Sequence, residues 1–255
     1  MAFDENIIPN FAIILRTCDL ISHKYVFSNS LYDNKKLHLL NLVKYANQNK
    51  ADIFIICDTK SNDYFHFVCD IIGERGRVIR SNACSNGGSF AKQLQLASSL
   101  PHRFIEIAED DFIKFGKINF KALDANTFYT AYDHPLHNRT LYRLLSKLFD
   151  NEFSTVCSFV SSTDLLRRNL NSFLNFGGQS DAETWREITT PWWLEALFNA
   201  KNGKFKFSLI RKSRIKRLID VTWIHIASDS LPKRYDYLRK IKLSEFVSEV
   251  NSLHE

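Results

Sequence analysis

Residues 104–112 read FIEIAEDDF: a short, largely apolar segment runs straight into three successive carboxylates, Glu109, Asp110 and Asp111, before an aromatic resumes at Phe112. A run of this length bounded by polar residues suits a strand buried on both faces of a parallel sheet. Upstream, FAIILR at 11–16 and IFIIC at 53–57 read the same way, and a further strand is expected at 77–80. Between the first two, Leu31, Leu39, Leu42, Val43 and Ala46 recur at near-helical spacing. Before the strand at 103–108, a helix starting near Ser89 would place Phe90, Leu94 and Ala97 on one face. Strands alternating with helices predict an open α/β sheet. Further on, strands are expected at 128–132, 155–161 and 221–226, and helices at 141–149, 181–200 and 233–253.

In open α/β sheets, ligands bind where the strands end at their carboxyl termini. Arg16, Thr17 and Asp19 follow the first strand, Asp58 and Thr59 the second, Ser81 and Asn82 the third, and the acidic triplet the fourth. That rim is the predicted active face. Three adjacent acids at the end of a buried strand repel one another unless a cation neutralises them. Mg²⁺ and Mn²⁺ take one or two carboxylates and fill their shells with phosphate oxygens and water, so a metal–diphosphate site is expected. The alternative is an acidic turn capping a helix that begins near Asp111 or Phe112.

The segment IAEDDF resembles the DxD-type motif of GT-A glycosyltransferases, in the bacterial, family-2-like form whose triplet is Glu-Asp-Asp. SNGGSFAKQLQLA at 85–97 and TAYDHP at 130–135 are similar to segments flanking that motif, and the likeness covers about residues 11–135. The resemblance implies a mixed, mostly parallel GT-A (Rossmann-like) sheet flanked by helices. It implies that Asp111 coordinates Mn²⁺ or Mg²⁺, while Asp110 and Glu109 hold metal-bound water or the donor's ribose and sugar. Arg16, Thr17 and Asp19 would face the nucleotide and Asp58 the base, although a strand-end ion pair is an equal reading for Arg16. Asn86 and Gly87, with Gly88, lie where a helix begins and could offer backbone N–H groups to an anion, or form a plain capped turn. His225, in VTWIHI, matches the late histidine that completes the metal shell in many members, and would otherwise be a core histidine. For the base that takes the acceptor's proton, GGQSDAETW at 177–185 offers Asp181 and Glu183, which also read as part of a capping box.

The 255 residues, 45% hydrophobic and 24% charged, fit a single domain without linker or repeat. Its halves, about 1–125 and 126–255, would bind nucleotide-sugar and acceptor respectively. The first ten residues lack the basic flank and apolar run of a secretion signal, and no apolar run approaches the ~20 residues of a membrane span. Five cysteines without CxxC spacing point to reduced thiols. A cytoplasmic enzyme is therefore expected. Net charge is +6, with eight bases and no acid between Lys201 and Arg217. That stretch could rest on the inner membrane surface, or be a solvated basic face.

Together these features predict transfer of a sugar from a nucleotide diphosphate donor, most simply a UDP-sugar, to a surface polysaccharide or lipopolysaccharide. Direct inverting displacement is expected, because no residue clearly presents a covalent nucleophile. One rival is a sugar nucleotidyltransferase or another metal-dependent nucleotide enzyme on a similar sheet, such as a phosphotransferase, but the chain has RTCDL at 16–20 where the nucleotidyltransferases carry a Gly-rich, Arg-containing loop. The other is a basic nucleic-acid-binding module, which leaves the acids without purpose and lacks a recognised motif.

Overall fold

The computed structural model describes residues 10–19, 31–83, 85–131, 158–177, 214–218 and 220–225, with positions 244 and 248. Nine strands, β1 (Phe11–Cys18), β2 (Asp52–Asp58), β3 (Gly76–Ser81), β4 (Phe104–Glu109), β5 (Phe112–Gly116), β6 (Thr127–Thr130), β7 (Phe159–Ser162), β8 (Arg214–Arg217) and β9 (Val221–His225), lie among the described residues. The helices are α1 (Leu31–Asn49), α2 (Asn62–Ile72), α3 (Asn86–Ser99) and α4 (Thr163–Gly177). The main sheet has the order β3-β2-β1-β4-β7-β6-β8, while β5 and β9 pair separately. Only β7 runs against its neighbours: β3, β2, β1 and β4 are parallel, and β6 returns to their direction. This is the mixed, mostly parallel α/β architecture expected.

β1 occupies the middle of the parallel half and is buried along almost its whole length, which is why FAIILR carries apolar residues on both faces. Phe11, Ile13 and Leu15 pack with Leu39, Leu42, Val43 and Ala46 of α1 and with Tyr64, Val68 and Ile72 of α2. Ala12 and Ile14 face the other way, toward Phe90, Leu94 and Ala97 of α3 and Leu165 and Leu166 of α4. Each large side chain buried this way contributes about 1.5–3 kcal/mol. Two cores thus sandwich one sheet. The alternation also decides the rim, because Arg16 inherits the α3 face and Thr17 the α1/α2 face.

Local chemistry explains the helix starts. Ser61 caps α2 by accepting from the Tyr64 amide at 3.2 Å, and α2 then buries Tyr64, Val68 and Ile72 at spacings of four. Ser85 caps α3 by accepting from the Gly88 amide at 3.0 Å, so that helix begins at Asn86 and not near Ser89. No helix starts after the acidic triplet: the chain turns at Asp110 and Asp111 and enters β5. Of the basic stretch, the end falls in β8, an edge strand paired with β6, and residues 201–213 lie outside the described residues. Among the described residues no helix is long and apolar enough to cross a membrane.

Candidate active site

Parallel pairing aligns the carboxyl ends of β1 and β4 so that Arg16 stands opposite Glu109. Their side chains form an ion pair on the α3 face, where the Arg16 guanidinium also lies 5.4 Å from the Phe90 ring centroid. Arg16 and Glu109 are 7% and 8% exposed, so this pair is part of the packed rim. The strand-end ion pair is thus the arrangement that Arg16 adopts.

On the opposite face, Thr17 donates to Asp110, and the Lys35 ammonium of α1 bonds the same Asp110 oxygen. The Thr17 hydroxyl also meets the Tyr64 hydroxyl at 2.6 Å. Burial pushes the Tyr64 phenol well above its ordinary range, so it stays protonated. Next to this chain, Thr59 donates to Asp19 at 2.7 Å, and Asp58 ends β2 opposite Ser81 of β3. Glu109 and Asp110 therefore carry their own counter-ions. The expectation that only a divalent cation makes the triplet tolerable is corrected for Glu109 and Asp110, which Arg16 and Lys35 neutralise. Lys35 escaped the sequence reading because α1 was judged by its apolar positions alone.

Those apolar positions are half of α1. Asn34, Lys35, His38, Asn41, Tyr45 and Asn49 form a second stripe at spacings of three or four, and all are buried. This stripe holds β5 as a neighbouring strand would. His38 Nδ1 lies 3.3 Å from the Phe112 carbonyl, which can only accept, so the ring is protonated at Nδ1. Asn41 donates to the Lys114 carbonyl at 3.0 Å and accepts from the Lys114 amide at 2.8 Å. Asn49 accepts from the Ile118 amide at 2.8 Å. Burial, set against the raising influence of nearby Asp110, lowers His38 to about 4, so its imidazole is neutral near pH 7.

Inside this assembly sits a third ion pair, Lys114 with Glu106 of β4, on side chains 2% and 0% exposed. The Lys114 ammonium lies 4.8 Å from the Trp223 ring centroid and 5.9 Å from that of Tyr45. Burial raises the Glu106 carboxyl, and Lys114 opposes that shift. Thus β4, β5, β9 and α1 are locked together directly behind the rim.

β9 pairs antiparallel with β5, which sets the His225 backbone opposite Phe112, one residue from Asp111. Among the described residues no group of three or more His, Cys, Asp or Glu side chains is arranged to hold a metal ion. Asp111 would supply a carboxylate oxygen of the kind Mg²⁺ and Mn²⁺ take, with phosphate and water completing the shell, whereas the imidazole of His225 is a ligand better suited to softer metals. Gly87 is buried in the first turn of α3, and the Gly88 amide is used by Ser85. Asp181 and Glu183 lie outside the described residues, as do Asp133, His134 and the expected helices at 141–149 and 181–200. A separate cavity of 470 Å³ opens at the amino edge of β2 and β3, beside Asp52, Arg77 and His102.

No family model matches the chain, and no curated protein does. Solved structures similar to it include the galactosyltransferase LgtC in complex with donor and acceptor sugar analogues, at 9% identity and a TM-score of 0.48 over 86% of this chain and 88% of that one. Another is 4-diphosphocytidyl-2C-methyl-D-erythritol synthase from Anaerococcus prevotii, at 10% identity and 0.48, covering 92% and 96%. Mouse xyloside xylosyltransferase 1 has 8% identity and 0.44, covering 86% and 98%. Likenesses this distant bear on neither chemistry nor substrate, which must be read from the rim itself.

Proposed function

We propose that this chain is a glycosyltransferase that moves a sugar from a nucleotide diphosphate donor, most simply a UDP-sugar, to a hydroxyl of a surface glycan or glycolipid. The observation that supports the reading is the antiparallel pairing of β9 with β5, which sets the His225 backbone opposite Phe112, the residue after Asp111. Two candidate ligands far apart in the chain thus lie on paired strands, while Asp19, Thr59 and Asp58 stand at the carboxyl ends of β1 and β2.

In this reading Asp111 and His225 hold Mn²⁺ or Mg²⁺, which when bound offsets charge developing on the departing diphosphate. Glu109 and Asp110 position the rim through Arg16, Thr17 and Lys35. Asp19 and Asp58 orient the nucleotide, and Asp181 or Glu183 takes the proton from the acceptor hydroxyl. The protein works in the cytoplasm, with the basic stretch at 201–217 resting on the inner membrane surface.

The test is thermal stabilisation by a panel of nucleoside diphosphates, nucleotide sugars and nucleoside triphosphates, each with and without Mn²⁺. A ligand at 100 times its Kd stabilises by about 2.7 kcal/mol. The expected result is a response to a nucleoside diphosphate that needs Mn²⁺ and is lost in Asp111→Asn and His225→Ala. A response to triphosphates alone would favour a nucleotidyltransferase, and no response to any diphosphate would end the proposal.

A further inference from the structure

Lys35 is a buried lysine with a defined task. Its side chain is 2% exposed and its ammonium bonds the Asp110 oxygen that also accepts from Thr17. Lysine is almost never buried unless paired, and as a compact point charge it neutralises a single carboxylate oxygen well. Its place is set by a helix whose next turns are pinned to β5 through His38 and Asn41, so the ammonium is presented to Asp110 by packed structure. A divalent ion ligated by that oxygen would have to sit against an ammonium in a site with little water to screen the two.

We propose that Lys35 is the resident cation of Asp110 and keeps divalent metal off that carboxylate, making Asp110 a positioning residue and leaving Asp111 as the triplet's metal-facing acid. The role of Asp111 rests on the glycosyltransferase reading, whereas the role of Lys35 does not. Arg16 forms the corresponding ion pair with Glu109 on the other face.

The experiment measures Mn²⁺ binding to the full chain, from the loss of the free Mn²⁺ paramagnetic resonance signal and from thermal stabilisation. Wild type is compared with Lys35→Met, Asp110→Asn, Asp111→Asn and the double variant Lys35→Met/Asp110→Asn. Lys35→Met is expected to bind Mn²⁺ at least about tenfold more tightly than wild type, because a buried carboxylate has lost its counter-ion and metal binding is then linked to folding. That gain should vanish in the double variant, and Asp110→Asn alone should weaken Mn²⁺ binding less than Asp111→Asn does. The proposal is overturned if Lys35→Met binds no more tightly, or if Asp110→Asn weakens binding as much as Asp111→Asn.

Should Lys35→Met fold only with Mn²⁺ present, that dependence is itself the expected gain. The double variant, which removes both charges, tests folding separately, since replacing both members of a buried pair is often neutral. A wild type indifferent to Mn²⁺ beside a Lys35→Met variant that binds it through Asp110 would support this role for Lys35 and count against the metal-dependent transferase. A wild type that binds Mn²⁺ with UDP beside an unchanged Lys35→Met would do the reverse.

Discussion

Replacing Lys114 with methionine keeps most of the side chain's length but leaves the Glu106 carboxylate, whose side chain is 0% exposed, without its partner. Breaking a buried pair from one side costs about 3–5 kcal/mol. Glu106 has one escape, to take up a proton. From an ordinary unfolded pKa of about 4.3, protonation at pH 7 spans about 2.7 pH units at about 1.36 kcal/mol each, or about 3.7 kcal/mol. The loss in the variant should therefore be about 3–4 kcal/mol at pH 7, a fifth or more of the roughly 5–15 kcal/mol stability of a typical domain. At pH 5 the same protonation costs only about 1 kcal/mol. The sign follows from linkage: the folded variant holds a proton that the unfolded chain lacks, so its stability falls as pH rises above the unfolded value. Urea unfolding of wild type and variant at pH 5 and pH 7 reads this directly, with up to about 2.7 kcal/mol of the deficit recovered at the lower pH. Adding Glu106→Gln should restore most of the stability at both. Equal losses at the two pH values would refute the placement of an ionisable, water-excluded Glu106 behind the rim.

His38 offers a pH dependence of opposite sign. Its folded pKa of about 4 lies below its ordinary 6.5, so the unfolded chain binds the extra proton and stability is lost as pH falls from 6.5 toward 4, by up to roughly 3 kcal/mol. An imidazole resonance assigned to His38 that titrates near 6.5 in the native protein would contradict this. Two glycines with positive φ separate backbone strain from collision. Gly73 (φ +53) has nothing within 4 Å of an added Cβ, whereas at Gly116 (φ +97) that atom would lie 2.2 Å from the Asp220 carbonyl oxygen. Gly73→Ala should cost about 1–3 kcal/mol, the range typical of strained backbone, and Gly116→Ala clearly more, because it also pushes β9 off β5. Equal midpoints in urea for the two variants would contradict the β5–β9 pairing at that end.

The four parallel strands were legible because their apolar runs are local and continuous, and the rim followed because residues at the end of a parallel strand share one edge of the sheet. The turn-and-strand that follows Asp111 was not legible: FIKFG is too short to distinguish from a helix start by pattern alone. α4 was missed although it buries one face, as it begins among polar residues that read as a connection. Asp181, Glu183 and most of the basic stretch are sequence expectations that the described residues do not reach.

The chain's linear pattern alone determined the α/β class, the order of the parallel strands' polar ends and the acidic triplet, since periodicity and turn chemistry act over a few residues. Only the tertiary structure decided what those acids meet. Lys35 and Asp110 are 75 residues apart, Arg16 and Glu109 are 93, and both pairs exist because crossover helices and parallel pairing bring distant segments to one edge. A buried polar stripe on α1 looks like helix surface in one dimension. It becomes the mooring of the candidate site only when β5 lies alongside it, because hydrogen bonds between a side chain and a distant backbone leave no periodic trace in sequence.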